Sequence, residues 1–135
     1  MKNILVFPIL FTLYSCSVKN CAELQFDKKN KITYHKDIPY TGSCESYFFS
    51  GKIKSIENYK NGNDHGEWKF FHKNSNLKVL GNFNLGKRIG KWQFFYENGL
   101  LWKENFYDSL GNKTGTWVEY NRLGKIIDSV RIKPF

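Results

Sequence analysis

Methionine and alanine occur once each in these 135 residues, and there are only three cysteines and three prolines. With two of the strongest helix formers nearly missing, long helical stretches are hard to find. No apolar run reaches the ~20 residues that a membrane-spanning helix needs. Acidic residues are also scarce, 12 against 21 basic ones, which leaves a net charge of +9. The basic residues are spread along the chain and form no long block. The length leaves room for one domain. What is abundant is aromatic: 18% of the chain, interleaved with glycine, asparagine and lysine. Aromatic side chains suit half-buried pleated strands, and Gly and Asn suit the tight turns between them. The composition predicts an all-β protein of many short strands. Its positive charge would attract phosphates on nucleic acid or on lipid headgroups. The plainer reading is that the lysines are the solvated face of a sheet and guard its edges against aggregation.

Met1–Ser15 reads MKNILVFPILFTLYS, a single lysine followed by an apolar run from Ile4 to Leu13. A charged start and a short apolar run predict a secretory signal peptide. Leu13-Tyr14-Ser15-Cys16 resembles the lipobox of bacterial lipoproteins, departing from it at Tyr14, where a small or β-branched residue is preferred. That resemblance implies cleavage before Cys16, lipidation of its thiol and membrane anchoring by several acyl chains, each buried CH₂ adding ~0.8 kcal/mol. Ser17 follows in place of an inner-membrane retention aspartate. In a cell with two membranes the resemblance therefore implies the outer one, with the domain facing the periplasm. Loss of Lys2 with the leader would take the charge from +9 to +8, one fewer. With Cys16 committed to lipid, Cys21 and Cys44 remain as an even pair in an oxidising compartment. They are either bridged or two free thiols, Cys44 then being a small core residue.

Aligned on itself, the remainder repeats every 24 to 25 residues, with units opening at Gly42, Gly66, Gly90 and Gly115. Two residues after each glycine stand Cys44, Trp68, Trp92 and Trp117; five after it, Tyr47, Phe71, Phe95 and Tyr120. Nine after it come Gly51, Ser75, Gly99 and Gly124, then Ile53, Leu77, Leu101 and Ile126 two residues later. Seventeen after it are Tyr59, Phe83, Tyr107 and Ile132. Each unit reads as a hairpin: a strand, a turn needing positive φ near the ninth position, and a returning strand. The Trp column and the column three later have opposite parity, so either the first strand is bulged or both faces are partly apolar. Cys44 for the first Trp, and Asp128 and Ser129 interrupting the last returning strand, are departures in the end units, where arrays are usually atypical.

The pattern G-x-W-x-[FY]-[FY]-x-x-x-G-x-[LI], with a closing aromatic, resembles the variant MORN repeat of bacterial proteins over about Leu24 to Ile132. The resemblance implies an antiparallel meander of tandem hairpins, elongated and largely a single twisted layer. The expected organisation is a signal peptide over 1–15, an N-terminal tether over 16–30 and a repeat domain over 31–135. Members of that family often carry an antitoxin label, and other MORN arrays are scaffolds or membrane-proximal modules.

No residue set speaks for an enzyme, a cofactor or a metal. Gly81 to Lys87 matches the start of a phosphate-binding loop, but Arg88 stands where a hydroxyl should bind Mg²⁺, and the segment leads to no helix. His35, His65 and His72 lack ligand spacing. Glu57, Glu97 and Glu104 read as solvated strand or turn residues, and no nucleophile, base and acid can be grouped. The leading expectation is a non-enzymatic binding or scaffold module, anchored to the membrane through Cys16 and facing a protein partner or an anionic surface. The alternative is an antitoxin or immunity-type protein neutralising a partner toxin. Nucleic-acid binding fits the charge but not the compartment. Trp68, Trp92 and Trp117, with Phe71, Phe95 and Tyr120, are the expected sheet-face residues, structural and doubling as contact surface.

Overall fold

The computed structural model describes residues Val18–Lys133. The expected signal peptide and Cys16, the expected lipidation residue, lie outside them. The chain runs through β1 (Lys19–Asn20), a 3-10 turn (Cys21–Glu23), β2 (Gln25–Asp27), β3 (Ile32–His35), β4 (Ile38–Pro39), β5 (Gly42–Tyr47), β6 (Ile53–Lys60) and β7 (Asn63–Asp64). It continues through β8 (Gly66–Phe71), β9 (Leu77–Asn84), β10 (Lys87–Phe95), β11 (Leu101–Tyr107), β12 (Lys113–Tyr120) and β13 (Ile126–Ile132). From β5 to β13 the main sheet is the expected antiparallel meander, with β7 pairing on β6. β2, β3 and β4 form a second, three-stranded sheet.

Four hairpins share one register. Each opening glycine pairs with the aromatic or isoleucine seventeen residues on: Gly42 with Tyr59, Gly66 with Phe83, Gly90 with Tyr107, Gly115 with Ile132. At each tip the ninth residue donates its N–H to the carbonyl three residues earlier, as Gly99 does to Tyr96 at 3.0 Å. The ninth residues have positive φ: Gly51 80°, Ser75 73°, Gly99 83°, Gly124 77°.

The opening strand pairs one for one from the Trp column onward. The Trp column and the column three later therefore face opposite sides, and both faces are partly apolar, while each unit carries two bulges elsewhere. Near the tip Phe70 pairs with Val79 but Phe71 with Leu77, leaving Lys78 as the extra residue of the returning strand. The same offset isolates Lys54, Trp102 and Ile127 in the other units. Between units the opening strand is bulged too. Gly90, Lys91 and Trp92 face Gly81, and Gly115, Thr116 and Trp117 face Asn105. Gly90 at φ 65° and Gly115 at φ 67° supply the left-handed step that such a bulge requires.

The bulges make the Trp column structural. Each indole Nε1–H reaches back to a returning-strand carbonyl of the preceding unit: Trp68 to Asn58 at 2.8 Å, Trp92 to Asn82 at 3.2 Å, Trp117 to Phe106 at 3.2 Å. The rings of Tyr40, Tyr59, Trp68, Phe83 and Trp92 form a ladder with successive centroids 5.9, 5.4, 5.0 and 5.0 Å apart. Tyr107 and Trp117 continue the pattern at 5.6 Å. Trp92 is 2% exposed and Trp68 9%. Offset and edge-to-face ring pairs add ~0.5–1.5 kcal/mol each beyond burial, which a sheet with few buried residues needs.

The ends are finished differently. The first unit has no preceding unit to supply a carbonyl, and Cys44 replaces the indole there. It is fully buried and disulfide-bonded to Cys21, with Cα atoms 5.0 Å apart. The segment expected as a tether contributes structure: β1 pairs in parallel with β5, Lys19 opposite Cys44, and β2 joins the small sheet. At the other end Asp128 and Ser129 do not interrupt the strand. They pair with Glu119 and Val118 in β13, whose edge position leaves polar side chains in solvent.

Candidate functional site

Counting by twos from the Trp column leads to the fourth and sixth positions of each unit, which lie on the indole's side of the sheet. Phe70 sits 6.0 Å from Trp68, centroid to centroid. Trp102, the bulged residue of the third unit, stands 6.3 Å from Phe94 and 6.0 Å from Tyr96. These rings are half-buried, and Trp102 is 39% exposed.

Together they floor a cleft that crosses the strands. One part, about 460 Å³, is lined by Phe94, Tyr96, Trp102, Lys78 and Arg122 among others. Its neighbour, about 310 Å³, is lined by Phe48, Phe70, Lys54, Arg88 and Trp92 and shares Lys78, Val79 and Phe94 with the first. The two parts form one groove spanning three units and touching a fourth. Four basic residues line it, Lys54, Lys78, Arg88 and Arg122, against one acid, Glu97.

Two of those cations are held by rings. The Arg88 guanidinium lies 4.5 Å over Trp92, and that of Arg122 lies 5.7 Å over Tyr96. Outside the groove, Lys113 covers Trp117 at 4.8 Å. Each such contact is worth ~0.5–1 kcal/mol at an exposed site and fixes where the charge stands. The polar groups of the floor are engaged between units. His72 Nε2 meets the Phe95 carbonyl at 2.9 Å, Tyr96 donates its hydroxyl to the Tyr120 carbonyl at 2.8 Å, and Trp102 donates Nε1–H to Glu119 at 3.0 Å. The cleft thus presents π faces and positive charge.

Of the residues singled out in the sequence, Trp92 lines the groove and is also core, as Phe71 and Phe95 line it beside the tip bulge. Trp68 is core, and Trp117 is half-buried in the last hairpin. Tyr120 contributes its backbone carbonyl to Tyr96. The groove's main rings, Phe70, Phe94, Tyr96 and Trp102, were not in the expected set. The signal for Phe70, Phe94 and Tyr96 was the parity of the Trp column itself, followed two and four residues further, whereas Trp102 joins them only through its bulge.

The remaining polar groups stay apart from the cleft. His35 lies 3.9 Å from Glu23, and His65 keeps a buried Nδ1 without a partner. Glu57 accepts hydrogen bonds from Ser55 and Tyr59, both at 2.7 Å. Burial first, then that hydrogen bond to Glu57, raise the Tyr59 pKa well above the ordinary phenol value. Burial and the charge of Glu57 likewise raise Asp64. Cys21, Cys44 and Glu57 bring ligand-type atoms within 4.8 Å of one another, but the two sulfurs are bonded and offer no thiolate. Gly81 lies in β9 beneath Trp92, and Gly86 in the turn after it, so the loop-like motif forms no phosphate cradle before a helix.

The family model of the MORN repeat variant matches three tandem segments, residues 40–61, 64–85 and 88–109. These are the first three hairpins, each taken with the two residues before its opening glycine. The fourth, β12–β13, lies outside the match and repeats the same glycine-to-seventeenth register. No curated protein and no solved structure matches the chain.

Proposed function

We propose that this chain, built on tandem MORN-variant repeats, is a non-enzymatic lipoprotein of the cell envelope, anchored through Cys16 and offering its tryptophan-side cleft to a protein partner or an anionic surface. The binding part rests on one observation. An aromatic floor rimmed by Lys54, Lys78, Arg88 and Arg122 continues across three repeat units. A largely apolar recess carrying a few placed charges is the usual form of a recognition site. The anchoring part rests on the leader sequence. Two residues separate Cys16 from β1, a reach of at most about 11 Å, so a lipid there would hold the first strands against the headgroups.

Photocrosslinking in intact cells tests the binding part. A photoreactive residue replacing Phe94 should give a discrete adduct, while one replacing the exposed Thr116 should not. Adducts from neither site, or equally from both, would defeat it. For the anchor, wild-type protein should need detergent for release from membranes, whereas Cys16→Ser should be soluble after lysis. Equal membrane retention of the two would overturn that part.

A further inference from the structure

We infer that the occupant of the cleft is a polyproline-II segment of a partner protein, carrying an acidic residue at every third position and lying across the strands. This rests on the cleft being a binding site and adds the occupant's conformation and charge pattern.

Spacing carries the argument. Each unit contributes two strands, and strands lie ~4.8 Å apart, so a column recurs about every 9.6 Å along the groove. Polyproline II has three residues per turn and rises 3.1 Å per residue, which places equivalent side chains about 9.3 Å apart. Over two units the two periods stay within about 1 Å. A β-strand repeats its face every ~6.7 Å and an α-helix turns every 5.4 Å, so either loses step within one unit.

The groove has the matching columns. Lys54 and Lys78 stand at the same position of the first two units, where the third has Trp102, and Arg88 and Arg122 add cations at other positions along the groove. Phe70 and Phe94 likewise share one position of successive units, and Phe48 and Tyr96 share another two units apart, with His72 between them. A proline ring packs on an aromatic face without needing a hydrogen-bond donor, and aromatic-lined grooves take proline-rich segments for that reason. With the polar groups of His72, Tyr96 and Trp102 already engaged, the floor suits such rings better than sugar hydroxyls. A planar anionic surface would meet the rim and leave the recessed floor empty.

Calorimetric titration of the full mature protein in neutral-detergent micelles tests this. The probes are six-repeat peptides of Asp-Pro-Pro, Asp-Gly-Gly and Ser-Pro-Pro. The first should bind about tenfold or more tighter than either other, since flexible chains must also be ordered and uncharged ones lose the lysines. Lys54→Glu with Lys78→Glu, both at exposed positions, should cost about tenfold for Asp-Pro-Pro without altering the far-UV spectrum. Phe94→Ala should weaken it as well. Equal affinity for Asp-Pro-Pro and Asp-Gly-Gly would overturn the inference, as would binding to anionic vesicles in preference to every peptide. If no peptide binds while crosslinking from Phe94 still yields an adduct, this inference falls and the cleft reading stands. If crosslinking fails too, both fall.

Discussion

The indole of Trp92 lies flat against the backbone of Gly81: a Cβ added at Gly81 would come within 2.2 Å of the indole Cδ2. On its other face the ring carries the Arg88 guanidinium, and its edge donates to the Asn82 carbonyl. One side chain thus joins two repeat units, covers a bare strand and positions a cation of the cleft. Trp92→Ala should cost ~3–5 kcal/mol of stability, the range for a large aromatic removed from a core. Trp117→Ala, at a half-buried ring of the last hairpin, should cost clearly less. Gly81→Ala should also destabilise strongly, because the clash is with a packed ring flanked by backbone. Urea melts followed by circular dichroism decide the matter. Small, equal shifts for both Trp variants would refute the structural role of the column.

Ser75 is the one ninth-position residue of the four hairpins that is not glycine, yet it holds φ 73°. A left-handed L-residue costs about 1–2 kcal/mol, offset partly by the greater unfolded-state freedom of glycine. Ser75→Gly should therefore stabilise by about 0.5–1 kcal/mol, seen as a higher urea midpoint. A lower midpoint would show that the Ser75 side chain matters to the tip.

The Cys21–Cys44 bridge closes a sequence separation of 23 residues and holds β1 beside β5. On the loop-entropy account, its loss should lower stability by ~3 kcal/mol. Cys21→Ser with Cys44→Ser, or reduction by dithiothreitol, should shift the melting curve down and leave the register of the later hairpins intact. Unchanged melting after complete reduction would remove the bridge from the account of stability.

Asp64 is half-buried near Glu57, and both burial and that charge raise its pKa above the ordinary 3.8. The folded state then holds the proton more tightly than the unfolded state does. The resulting stabilisation is present below the unfolded value and is lost as pH rises through the folded one. At pH 7 the ionised carboxylate is a net cost, so Asp64→Asn should raise the denaturation midpoint there. The difference should shrink below about pH 4. A variant less stable than wild type at pH 7 would show that the carboxylate makes a compensating interaction.

Much of this architecture is legible in the chain alone, because a repeat solves the same local problem several times. The ninth-position Gly column needs positive φ, the opening Gly needs a bulge, and the seventeenth-position column must pair with that opening Gly across the hairpin. Each is a local demand, and Trp68, Trp92 and Trp117 mark it without reference to distant residues. Pairing between strands decided the rest. Trp102 and Lys78 reach the cleft only because the returning strand is bulged, and nothing within that strand's own sequence shows which residue is left unpaired. Phe70, Phe94 and Tyr96 become a floor only when neighbouring units stack. Asp128 and Ser129 look like a break in sequence but are tolerated in β13 because an edge strand leaves its side chains in water. The segment before β3 looks like a tether, since two- and three-residue strands carry too little periodicity to be read. Their place depends on β5 and β3 offering partners, and contacts between residues far apart in the chain exist only once it has folded.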